Sequence, residues 1–107
     1  MAVKLVFERS KDINIDESEI FNLSEEADIL DQECIQNGII LYTQYEEIEP
    51  IEIQKMIYIF DSKTNYENYL EFIKSQPFFD KVKTIWNWRL EHNYQFKISL
   101  DYNYTPT

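Results

Sequence analysis

The chain carries one cysteine, Cys34, and one histidine, His92, and these bound the nucleophilic chemistry open to it. Cys34 lies a helical step beyond Leu30 and Ala27, where a thiol serves as a small hydrophobe. His92 sits between Glu91 and Asn93 at an expected turn, with no Ser or Cys placed as its nucleophile. A single Cys and a single His cannot make a zinc set. A single glycine, Gly38, cannot make a phosphate-cradling loop. Asp28-x-x-Asp31-x-Glu33 offers hard oxygen ligands, but it lacks the glycine and the spacing of a calcium loop and falls in an expected helix. These residues read as those of a protein that is not an enzyme and uses no cofactor or metal.

Charge carries more functional content. Residues 1–52 hold fourteen acids and three bases, a charge of −11, whereas residues 53–107 hold six acids and seven bases, a charge of +1. A field of that sign repels nucleic acid and attracts basic surfaces. Within the acidic half the candidate partner-binding residues are Glu25, Glu26, Asp28, Asp31 and Glu33 on a helix, with Glu46, Glu47 and Glu49 in the connector that follows. Glu25, Asp28 and either Asp31 or Gln32 follow three-residue steps. At about 5–6 Å spacing such a row matches phosphates in sign and roughly in spacing. The expected partner is a basic protein such as a nuclease or a nucleic-acid-binding protein, with no direct nucleic-acid binding, no membrane, and homo-oligomers allowed. Aromatics form a second set that includes Tyr42, Tyr45, Tyr58, Trp86, Trp88, Tyr94, Tyr102 and Tyr104. Those left outside the core are candidate contact anchors.

In size and composition the chain is similar to small acidic inhibitors of phages and mobile elements. These include DNA-mimic antirestriction and anti-CRISPR proteins and the immunity proteins of nuclease toxins. The resemblance rests on no motif and assigns no residue a role. It implies steric and electrostatic blockade of a basic groove.

The elements that position these residues follow from periodicity. Val3, Leu5 and Phe7 alternate with Lys4, Val6 and Glu8, giving a strand over residues 2–9. Ile20, Leu23, Ala27, Leu30 and Cys34 recur at helical steps, giving a helix from about Glu17 to Asn37 that Gly38 ends, with Ser24 a second N-cap candidate. Ile39–Tyr45 reads as a strand, residues 46–50 as an acidic connector, and Ile51–Phe60 as its hairpin partner. Thr64-x-x-Glu67 has capping-box spacing ahead of a second helix that stops before Pro77. Pro77–His92 fits both a helical face and a strand alternation, and its β-branched and aromatic content favours the strand. His92-Asn93 is then a hairpin turn into the strictly alternating strand Tyr94–Tyr102, one parity of which faces the core. Phe96 and Ile98 share that inward parity.

A chain of 107 residues is one domain, residues 1–107. The order β-α-β-β-α-β-β predicts an α+β fold, a small antiparallel sheet with both helices on one face. Helical Pro77–His92 would instead give the ferredoxin-like β-α-β-β-α-β pattern, for which the alternative function is self-association with a structural or small-ligand role. A lone cysteine, no signal segment and no apolar run long enough to span a bilayer place the chain in the cytoplasm.

Overall fold

The computed structural model describes residues 1–10, 24–48 and 53–105. Its elements are β1 (Ala2–Ser10), α1 (Ser24–Gln36), β2 (Tyr42–Ile48), β3 (Ile53–Phe60), α2 (Lys63–Lys74), α3 (Phe78–Glu91) and β4 (Phe96–Tyr104). The fold is α+β, a four-stranded sheet in the order β2-β3-β1-β4 with every pairing antiparallel. This is the pattern expected for a helical Pro77–His92, with two helices filling the place of the second one.

The strand expected over Pro77–His92 is therefore corrected to α3. Fourteen residues without a turn exceed an ordinary strand and suit a helix. Pro77 enters it with φ −57°, already helical, where its missing N–H costs nothing. Asp80 in the first turn and Arg89 in the last complement the helix dipole. Ile85 is buried, and Trp86 stacks on Phe96 with centroids 3.9 Å apart, so the tryptophan meets β4 from a helix. The expected hairpin turn is instead the close of this helix. Asn93 takes φ 67°, Asn93 N–H donates to the Leu90 carbonyl at 3.2 Å, and Tyr94 N–H donates to that of Arg89 at 3.0 Å. These are the paired bonds of a Schellman motif with asparagine in the left-handed position.

Helix α1 ends in the same way. Gly38 has φ 76°, its N–H donates to Ile35 at 3.1 Å, and Ile39 N–H donates to Cys34 at 2.9 Å. The helix is described from Ser24, and the turns expected from Glu17 lie outside the described residues. Helix α2 begins earlier than the Thr64 capping box implies. Its cap is Ser62, whose hydroxyl accepts from Asn65 N–H at 3.2 Å, leaving Thr64 exposed inside the first turn. It stops at Lys74, ahead of Pro77 as expected.

Pleating sorts the strands into two faces. Val3, Leu5 and Phe7 of β1 lie beside Phe60, Tyr58 and Met56 of β3 and meet Cys34 of α1 and Tyr69 of α2 in one core. Both helices thus cover the same sheet face. Rings dominate it: Tyr69 lies 5.4 Å from Tyr58 and 5.3 Å from Phe60, and Phe7 meets Tyr58 edge-on at 6.0 Å. On the opposite face Ile57 and Ile59 are also buried. There Tyr42, on β2, and Tyr104, on β4, come from the two edge strands, and the neighbouring Tyr104 phenol raises that of Tyr42 above its usual value.

Tyr104 reaches that face because the register between β1 and β4 slips by one residue, Ala2 facing Tyr104 while Lys4 faces Asp101. Tyr102, before the slip, points the other way and meets Tyr66 of α2. The inward parity expected of Tyr94–Tyr102 is corrected in two places. Tyr94 is buried but precedes the strand, and Ile98 is 55% exposed near the sheet edge.

Candidate protein-binding surface

Helix α1 divides its carboxylates between core and solvent. Ala27, Asp31 and Cys34 follow steps of four and three, so one stripe carries all three. That stripe faces the sheet, and Asp31 is 4% exposed. The Tyr58 hydroxyl donates to Asp31 Oδ2 at 2.9 Å, and Tyr69 bonds into the same cluster. Burial pushes the Asp31 carboxyl up to about 6, against the opposing pull of the Tyr58 bond, and nearby Asp28 adds to the rise. Asp31 is therefore not a partner-binding acid but a core polar group. The phosphate-like row through Glu25, Asp28 and Asp31 is broken at its last member.

The outward side of α1 keeps Glu26, Asp28 and Glu33 exposed, with Gln32 and Gln36. Among them stands Ile29, 62% exposed. Glu26 and Glu33 are seven residues apart and share a stripe about 10 Å long. Glu26 accepts from Lys81 of α3 at 2.9 Å, so one acid of the surface is already met by a base from the other half of the chain. The side chain of Glu25, and Glu49 as a whole, lie outside the described residues.

Glu46 and Glu47 belong to β2 and not to a connector, which is a correction with consequences for direction. Neighbours in a strand point to opposite faces. Glu46 faces Lys55 across the ladder and accepts from Gln44 Nε2 at 3.0 Å. Glu47, on the helix side, accepts from the Tyr45 hydroxyl at 2.7 Å and from Gln54 Nε2 at 3.2 Å. The expected residues whose side chains are described fall in three places. Glu26, Asp28 and Glu33 share a helix surface, Glu46 and Glu47 flank an edge strand, and Asp31 is inside.

The lone cysteine and the lone histidine are both engaged structurally. Cys34 is 1% exposed, and burial, with Asp31 and then Glu33, pushes its thiol up to about 11. His92 Nδ1 donates to the Trp88 carbonyl at 2.8 Å, and its ring stacks on Trp88 at 3.9 Å. Among the described residues no group of three His, Cys, Asp or Glu is arranged to hold a metal ion. Also among them, no helix is long and apolar enough to cross a membrane. Sequence reasoning missed the Asp31–Tyr58–Tyr69 cluster, although the place of Asp31 on the Ala27–Cys34 stripe signals it. No protein-family model, curated protein or solved structure matches the chain significantly.

Proposed function

We propose that this chain is a non-enzymatic, cytoplasmic binding protein whose acidic surface occupies the basic, nucleic-acid-binding groove of another protein and blocks it. The observation that supports this best is the exposed side of α1. Ile29, 62% exposed, stands among the exposed carboxylates of Glu26, Asp28 and Glu33. An apolar side chain ringed by like charges has the composition of a contact point. The ring steers an oppositely charged surface and the centre is desolvated on docking. The net charge of −10 works in the same direction, since it excludes nucleic acid itself while favouring proteins built to grip it. Inhibition of this kind needs no reacting group. The burial of Cys34 and the tied imidazole of His92 are consistent with that.

The test is displacement. Fluorescent duplex DNA is bound to a panel of basic nucleases and repressors, and the chain is titrated in. The expected result is release of duplex from at least one of them by the wild type and none by the triple variant Glu26→Lys, Asp28→Lys, Glu33→Lys. Equal release by both proteins would overturn the reading.

A further inference from the structure

We propose that β2 is a docking edge and that its occupant is an extended, lysine- or arginine-rich strand of a partner protein, added to the sheet alongside β2. The inference rests on the acidic-surface reading above and supplies the place and manner of contact.

The two edges of the sheet are built differently. Sheets protect their edges with bulges, lysines, prolines or short strands, because an open row of N–H and C=O groups recruits another strand. The β4 edge has two such guards. Its register slips near Tyr102–Tyr104, where Asp101 Oδ1 accepts from Asn103 N–H at 2.9 Å, and Lys97 stands on it. The β2 edge has neither bulge nor lysine nor proline among the described residues, and its only guards are the like charges of Glu46 and Glu47, which repel acidic strands and admit basic ones. Its pairing with β3 runs without a shift from Tyr42 to Ile48, and residues 42–48 contain neither lysine nor proline. Among the described residues β2 has a strand neighbour on one side only.

Charge selects the occupant. The ionisable acids of β2 are Glu46 and Glu47, and it has no base. Lys55, opposite Glu46 on β3, also faces Glu8 on its other side and closes on it at 2.9 Å. Tyr45, 56% exposed, and Tyr42, 39% exposed, stand on opposite faces of the strand, so an added strand meets a phenol ring on either side. Such rings attract ammonium and guanidinium groups, as Lys4 over Tyr104 at 5.1 Å already illustrates within this chain. A second copy of the chain fits less well. Each copy carries −10, and pairing two β2 strands would bring their glutamates together. Strand addition takes its affinity from main-chain bonds and its selectivity from the alternating side chains, which here favour positive charge.

The probe is a blocked synthetic peptide alternating lysine and valine, as long as β2, and the readout is residue-resolved amide hydrogen exchange on the intact chain. Alternate amides of Tyr42–Ile48 should gain at least about tenfold protection at saturating peptide, with β4 unchanged. A glutamate-for-lysine peptide should give none. Nor should a lysine peptide methylated on all its backbone nitrogens, which keeps every charge and cannot complete the ladder. Protection confined to β4, or no protection at all, overturns the proposal. So does protection of β2 that rises with protein concentration in the absence of peptide, which would make the occupant a second copy. If the lysine and methylated peptides perturb Glu26, Asp28 and Glu33 equally and leave β2 untouched, the docking edge fails and the acidic surface survives. If lysine and glutamate peptides protect β2 equally, the basic occupant fails, while the acids of α1 are judged separately by the displacement test.

Discussion

The Tyr58 hydroxyl donates to Asp31 Oδ2 at 2.9 Å, tying the middle of β3 to the middle of α1 through the core. A buried carboxyl is a stability term that pH can address. Burial raises Asp31 to about 6 in the folded chain, above its unfolded value of about 3.9. The folded state therefore holds this proton more tightly. Its contribution is full below about pH 4 and is lost as pH rises through about 6, a difference of roughly 3 kcal/mol. Asp31→Asn keeps an acceptor for Tyr58 and has no charge to bury. Urea unfolding at about pH 4 and about pH 8 should show the variant more stable than the wild type at the higher pH, with a flatter dependence between. An unchanged pH slope in the variant would assign the dependence elsewhere.

Gly38 isolates a backbone effect. A methyl added there meets nothing within 4 Å, but φ is 76°. Gly38→Ala should cost about 1–2 kcal/mol through conformation alone, and Asn93→Gly, at the matching position of α3, should be neutral or stabilising. Denaturant midpoints check both. A neutral Gly38→Ala would mean that the close of α1 is not left-handed.

The stacking of Trp86 on Phe96 holds α3 to the sheet. A double-mutant cycle of the two alanine variants should give a coupling of about 0.5–1.5 kcal/mol. Ile98→Ala, on the same strand parity as Phe96 but 55% exposed, should cost much less than Phe96→Ala. Equal losses at Phe96 and Ile98 would contradict the packing of β4.

Much of this fold is legible in the sequence, and the failures have definite causes. Alternation marks β1 and β4 because each has one face on a core, the isoleucines of one parity mark β3 although both of its faces are buried, and proline and glycine mark the ends of α2 and α1. Pro77–His92 is ambiguous in sequence because Val82, Trp86 and Leu90 satisfy both a period of two and a period near four. Propensity then favoured the strand, whereas segment length and the contact of Trp86 with Phe96 belong to the helix. Glu46 and Glu47 read as a connector because composition marks charge runs as loops, yet an edge strand tolerates them. The candidate surface was legible in its sign but not in its shape. Fourteen acids in one half are visible in the chain, but that Asp31 turns inward depends on the phenols of Tyr58 and Tyr69, distant in sequence.

The Lys81–Glu26 pair couples the two halves of the charge distribution at 2.9 Å. Both side chains are about half exposed, so the pair adds well under about 1 kcal/mol to stability. Lys81→Ala should leave the unfolding midpoint nearly unchanged while freeing Glu26 and tightening binding to a basic partner. Lys83→Ala, whose lysine pairs with Asp80 at 3.4 Å, should leave both the midpoint and the affinity nearly unchanged. Matching effects of the two substitutions on partner affinity would separate Glu26 from the binding surface.

The proposed binding of a basic protein by the exposed acids of α1 can be measured directly. Its most direct test is the affinity of the displaced nucleic-acid-binding protein for two forms of the chain, each at low and high salt. The forms are the wild type and the Glu26→Lys, Asp28→Lys, Glu33→Lys variant. The wild type should bind tightly with an affinity that falls steeply with salt, the variant should bind far more weakly, and both should give the same circular dichroism. An affinity that is flat in salt and unchanged by the three reversals would contradict the proposed binding.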